Sequence, residues 1–178
     1  MESRAKLFGH PIHQQLIVFP LGLFGMGTLF DIIDWVADEP QLARAAYYMI
    51  AAGILSGLLA AIFGLIDYLA IPSGTRAKRI ATTHGVGNVV IVVLFIIAWF
   101  LRRDDPAAPS TFARILEIIG LVMALGTGWL GGELVDRLGV GVDPGANLNA
   151  PSSLSGPAAA GSGPGVARSR EAGLRVES

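Results

Sequence analysis

The chain has 178 residues, 13 Lys and Arg against 14 Asp and Glu, a formal net charge of −1 and no cysteine. The charge balance argues against a nucleic-acid partner, and the missing thiols exclude disulfides, all-cysteine iron–sulfur clusters and thiol nucleophiles. With 52% hydrophobic and only 15% charged residues, against about 25% charged in soluble domains, the composition is that of one membrane-embedded domain.

Four apolar stretches follow one another, at residues 14–36, 43–71, 80–101 and 112–135. Each reaches the roughly 20 residues that an α-helix needs to cross a hydrocarbon core about 30 Å thick. The first is preceded by Arg4 and Lys6 but has no small-x-small cleavage site, and Asp31 and Asp34 lie near its end, so it reads as a retained span rather than a signal peptide. The second carries Gly53, Gly57 and Ala61 at four-residue spacing. The third contains the run Val89-Val90-Ile91-Val92-Val93-Leu94-Phe95-Ile96-Ile97, which has no polar face and so suits lipid better than a soluble core. The fourth carries Gly120, Ala124, Gly128 and Gly132, again four apart. Such small-residue ridges let helix backbones approach closely in lipid; they serve packing within the chain or a homodimer seam.

The connections are short and carry turn chemistry: Asp38-Glu39-Pro40, Pro72-Ser73-Gly74, and Asp104-Asp105-Pro106 with Pro109. Short loops force antiparallel neighbours, so the expected fold is all-α, an up-down-up-down transmembrane four-helix bundle over residues 1–142. Residues 143–178 are rich in Gly, Pro, Ser and Ala and are expected to be a disordered polar tail. Arg4, Lys6, Arg76, Lys78, Arg79 and Arg137 fall on the side of the termini, against Arg44, Arg102, Arg103 and Arg114 opposite. The positive-inside rule then places both termini in the cytoplasm. Trp35, Trp99, Tyr47, Tyr48 and Tyr68 sit near span ends, as an aromatic belt would.

The ionisable groups within this apolar frame are functional candidates. His10 and His13 stand at the start of the first span, Asp67 near the end of the second, His84 at the start of the third and Glu133 at the end of the fourth. Every helix therefore delivers a metal-competent side chain to one end. His10 and His13 share a face if that stretch is helical, although Pro11 leaves the local geometry open. Imidazole plus carboxylate suits iron, zinc or nickel, whereas His84 with His10 or His13 would supply the two axial ligands of a b-type haem. The same residues also serve as a polar network that only fixes helix register, as in a membrane scaffold. At the opposite end, Asp31, Asp34 and Glu117 face Arg44, Arg102, Arg103 and Arg114, which reads as structural ion pairing. A proton or small-ion conductor would instead use the two polar ends as its mouths, but the middle layers are apolar and no broken helix or inverted repeat is present. No nucleophile elbow, zinc-protease or phosphate-loop motif occurs, so no enzymatic activity is assigned.

Several of these residues fall in ordered motifs. Gly9-His10-Pro11-Ile12-His13 with Leu16-Ile17-Val18-Phe19-Pro20-Leu21-Gly22 is followed by Gly64-Leu65-Ile66-Asp67-Tyr68 and Ile71-Pro72. His84 comes next, then Gly128-Trp129-Leu130-Gly131-Gly132-Glu133-Leu134-Val135 and Gly139-Val140-Gly141-Val142. Over residues 7–142 the chain resembles a bacterial four-span family catalogued as domain of unknown function two-two-three-one, whose opening is a His-Pro-x-His-Pro motif. Gln14 departs from the second proline of that opening, and Asp136 replaces a tyrosine. The resemblance implies a four-helix fold in a bacterial inner membrane, with no established activity. Fusions of family members to Rieske-type or cytochrome-type domains imply electron-transfer partners and favour a redox or metal role for His10, His13, Asp67 and His84.

Overall fold

The computed structural model describes residues 1–155. Those residues contain four helices long and apolar enough to cross a membrane: Ile12–Ala37, Pro40–Ala70, Arg76–Leu101 and Thr111–Arg137. The fold is the expected all-α membrane bundle, with span ends shifted by a few residues.

A short hairpin opens the chain, strand β1 (Lys6–Leu7) pairing antiparallel with β2 (His10–Pro11). Its two-residue loop puts Phe8 at φ 51° and Gly9 at φ 84°, the doubly left-handed turn that suits the twist of a tight hairpin. A Cβ on Gly9 would also lie 2.6 Å from the Cβ of Ser153. Helix α1 (Ile12–Leu16) runs into α2 (Val18–Ala37) with a break at Ile17. Pro20 explains the break, because it has no N–H to give to the carbonyl of Leu16 one turn earlier. Helix α2 stops at Asp38, which adopts a left-handed conformation (φ 56°), and Pro40 occupies the first turn of α3 (Pro40–Ala70), where its missing N–H costs nothing. Thr75 caps α4 (Arg76–Leu101) by accepting from the amide of Lys78 at 3.1 Å. Ser110 caps α5 (Thr111–Gly132) by accepting from the amide of Ala113 at 3.2 Å. Helix α5 ends in a π-helical turn, Glu133–Arg137. At 31 residues, α3 is about 46 Å long and so overreaches a core of about 30 Å.

Helices α2 and α3 form one closely packed pair and α4 and α5 another; α3 packs on α4 and α2 on α5 to close the ring. Across the centre, the rings of Phe24 and Phe95 stack at 3.9 Å between centroids, surrounded by Ile50, Ile54, Ile91 and Ala124. The small-residue ridges divide their labour. A Cβ on Gly53 would press within 2.7 Å of the Phe24 ring, and one on Gly120 within 2.8 Å of Phe95, so both serve internal packing; Gly128 and Gly132 face open space. Large side chains such as Val36, Leu55, Leu65, Val122 and Trp129 lie exposed on the outside, as expected where lipid is the solvent.

The N-terminus, the Pro72–Thr75 turn and the residues after α5 gather at one end, called here the terminal end; the α2–α3 and α4–α5 loops form the far end. The first residues make a strap across the terminal end: the Met1 amino group donates to Gly139 O at 2.7 Å, and Gly141 N to Met1 O at 2.8 Å. Of the stretch expected to be a disordered tail, residues 143–155 form hydrogen-bonded turns, with Gly145 N on Asp143 Oδ1 at 2.7 Å and Ser153 Oγ donating to Phe8 O at 2.9 Å. Polar turn bonds hold this stretch. Residues 156–178 lie outside the described part.

Candidate functional site

The terminal end brings His13 and His84 together, with ring centroids 6.4 Å apart and planes at 87°. His13 comes from α1 and His84 from α4, so the pair meets across the bundle rather than along one helix. His13 Nδ1 lies 2.9 Å from the carbonyl of Ala60 on α3. His84 Nδ1 lies 2.8 Å from the carbonyl of Thr127 on α5. A carbonyl only accepts, so each Nδ1 carries a proton, and in the neutral imidazole Nε2 is then the lone-pair atom. Asn88, one turn on from His84, points its Nδ2 at His84 Nε2 at 3.1 Å, and Thr127 Oγ1 donates to Asn88 Oδ1 at 3.1 Å.

Glycine makes this arrangement possible on both sides. A Cβ on Gly64 would come within 2.9 Å of the His13 ring, and one on Gly131 within 3.3 Å of the His84 ring. A Cβ on Gly87 would come within 2.6 Å of the Thr127 methyl. Helices α3 and α5 thus lie almost flat against the two imidazoles. All four spans contribute: His13 from the first, Ala60 and Gly64 from the second, His84 and Asn88 from the third, Thr127 and Gly131 from the fourth.

The other sequence candidates go elsewhere. His10 sits in strand β2, exposed, with Nε2 3.3 Å from Ser153 Oγ. Helix begins only at Ile12, because Pro11 is extended at φ −60° and ψ 123°, so His10 and His13 do not share a helical face. Asp67 is occupied by the strap: Ser3 Oγ lies 2.7 and 2.8 Å from its two oxygens and the Arg4 amide donates to it at 2.8 Å. Glu133 accepts from Arg76 at 2.6 Å and ties the start of α4 to the π-turn. Among the described residues no group of three or more His, Asp or Glu side chains is placed to hold a metal ion. The five candidates therefore resolve into one histidine pair and three separate structural contacts.

Asp67→Ala is expected to release the strap while leaving the spans in place. Hydrogen bonds to a charged acceptor contribute about 1.5–3 kcal/mol, so amide exchange over residues 1–6 rises by about tenfold or more on that scale. Hydrogen–deuterium exchange mass spectrometry in detergent measures it; unchanged protection of those amides would show that Asp67 does not anchor the segment.

The far end holds the most completely buried polar group in the bundle. Arg102, at the C-terminus of α4, is 2% exposed, Asp31 1% and Glu117 0%. Arg102 Nη1 donates to Asp31 Oδ2 and, at 3.0 Å, to Glu117 Oε1. Its Nη2 donates to Asp31 Oδ1 at 2.9 Å, to Ala43 O at 2.6 Å and to Pro106 O at 3.2 Å. Burial by itself opposes the positive charge of Arg102, but its bonds to Asp31 and Glu117 and the negative charge held between them outweigh it and keep the guanidinium above its ordinary pKa. Beside this triad Arg114 pairs with Asp34 and lies over the Trp35 ring at 5.5 Å. Of the four arginines at this end, Arg102 makes fully buried pairs and Arg114 a partly buried one. Arg103 pairs only with exposed Asp104, and Arg44 is exposed.

The family's sequence model matches residues 9–144. The chain belongs to the DUF2231 family of predicted membrane proteins. The match takes in the histidine pair, its glycine seats and the far-end arginine cluster alike. No curated protein and no solved structure gives a match.

Proposed function

We propose that this DUF2231 chain is a membrane-embedded metal-binding module that holds one transition-metal ion between His13 and His84 and serves electron transfer or redox sensing. One observation carries the reading: both imidazoles give their Nδ1 proton to a main-chain carbonyl, which leaves Nε2 of each as the lone-pair atom. Metal-ligating histidines are oriented in this way, by a hydrogen bond on the other ring nitrogen. Imidazole ligands suit iron or zinc. Two protein ligands leave coordination positions for water or a small molecule, so the centre is open rather than a closed structural site. Haem b is less well supported, because α3 and α5 press against the rings at Gly64 and Gly131 and a porphyrin needs a broad slot between helices. In this reading both termini lie in the cytoplasm of a bacterial cell, and electron-transfer proteins dock on that side.

A second reading rests on Asn88, whose amide already satisfies His84 Nε2 at 3.1 Å. The network is then complete without an ion, and the chain is a scaffold whose polar contacts fix helix register. Metal analysis and a visible spectrum of protein purified in mild detergent separate the two. The expected result is about one ion per chain in the wild type. His13→Ala and His84→Ala lose it, while His10→Ala, Asp67→Asn and Glu133→Gln keep it. A Soret band lost in His84→Ala would assign haem instead. A folded, colourless preparation that takes up neither iron nor zinc would leave the scaffold reading standing.

A further inference from the structure

We propose that the far end of the bundle is a proton-binding site in which Asp31 and Glu117 share one proton, carried on Glu117, beneath the single guanidinium of Arg102. This inference is independent of the histidine pair. It starts from charge. The charged groups packed together here are three buried carboxylates, Asp31, Asp34 and Glu117, the buried guanidinium of Arg102 and the partly buried one of Arg114. Arg114 is taken by Asp34, so Asp31 and Glu117 together face one positive charge. The remaining neighbours add none: α3 contributes the carbonyl of Ala43, and the α4–α5 loop the carbonyl of Pro106. Arg44, Arg103, Asp104, Asp38 and Glu39 are exposed to the outside. One negative charge would remain uncompensated in a site closed to water, where an unpaired ion is costly enough that the group neutralises instead.

Hydrogen bonding assigns the proton. Asp31 uses both oxygens in a two-pronged bond to Arg102, the geometry of an ionised carboxylate against a guanidinium. Glu117 uses only Oε1; its Oε2 is buried with no hydrogen-bond partner among the described residues. A bare anionic oxygen there would be unsatisfied, whereas an O–H is neutral. Thr28, one helical turn before Asp31, is 1% exposed and its hydroxyl also has no partner among the described residues. The Nε atoms of Arg102 and Arg114 are likewise buried with no partner among the described residues, and these orphan groups together mark a polar interior that a proton or an ordered water completes.

Access is one-sided. A groove at the far end, lined by Asp34, Trp35, Pro40, Pro109 and Arg114, opens beside the Asp34–Arg114 pair and stops short of Asp31, Arg102 and Glu117, so a proton passes only when the contacts between them part. Toward the other end, Phe24, Ile50, Ile54, Ile91 and Phe95 fill the bundle. The proton is therefore taken from and returned to water on the far side, and the site loads a proton without conducting it across.

Infrared spectroscopy of the full chain in lipid at neutral pH tests this through the C=O band of a protonated carboxyl. The wild type is expected to show that band. Glu117→Gln, which keeps shape and neutrality, should lose it while retaining the wild-type melting temperature. Asp31→Asn should lose it as well, since Glu117 then faces Arg102 alone and ionises. A wild type without the band, or a band that survives Glu117→Gln, would overturn the proposal; so would a band that survives in folded Asp31→Asn. An absent band with a melting temperature that rises with added sodium would assign a bound cation in place of the proton and overturn it too. Should Asp31→Asn fail to fold, the Glu117→Gln comparison alone decides.

Discussion

Arg102→Ala is expected to destabilise the bundle by about 3–5 kcal/mol, the range for removing one member of a buried ionic group. Arg102 binds helices α2, α3 and α5 at once, through Asp31, the carbonyl of Ala43 and Glu117, and it also holds its own loop at Pro106. Truncation leaves two carboxyls and two carbonyls without their donor in a space that water does not reach. Most of the loss is thus the cost of the stranded partners rather than the strength of the bonds removed. Lysine keeps the charge but has neither the planar fork nor enough donors for four acceptors, so Arg102→Lys should recover only part of the loss. Acid pH should also narrow the gap between Arg102→Ala and the wild type, because two neutral carboxyls need no counter-charge. Thermal melts in detergent at several pH values measure both. A variant that melts with the wild type at neutral pH would show that the triad contributes nothing to stability.

Phe95→Ala is expected to cost about 3 kcal/mol, the low end of the range for removing a buried aromatic ring. Phe95 is fully buried, stacks on Phe24 and fills the hollow left by Gly120. In lipid the separated helices remain in an apolar solvent, so little of the cost is transfer from water; what is lost is packing against α2 and α5. A double-mutant cycle with Phe24→Ala isolates the stack: coupling of about 0.5–1.5 kcal/mol is expected for an aromatic pair. Simple additivity of the two truncations in the melts would mean that the rings act separately.

Hydropathy alone announced four membrane spans, their order and the antiparallel connections. Stretches of twenty or more predominantly apolar residues have no stable place in water, and loops this short leave one way to connect them. The pairing of acids with arginines at the far end was also legible, since opposite charges in four spans gather at the same depth. Which arginine takes which acid was not: Arg102 reaches Asp31 and Glu117 while Arg114 takes Asp34.

The histidines show the boundary most clearly. Depth along each helix follows from counting residues, and counting placed His10, His13, Asp67, His84 and Glu133 at one end. Rotation about each helix axis does not follow, because these spans are apolar on nearly every face and periodicity barely marks an inward side. Packing sets the rotation instead: glycines at 64 and 131 let α3 and α5 close on the imidazoles, which turns His13 and His84 toward one another. The remaining three were claimed by groups that no helical pattern reveals. Ser3 and the Arg4 amide arrive at Asp67 from a strap 64 and 63 positions away, Arg76 takes Glu133 from the neighbouring helix, and the hairpin turns His10 outward to Ser153. Lipid as solvent sets the number and direction of the helices from composition; side-chain contact at a few small residues decides which polar groups meet.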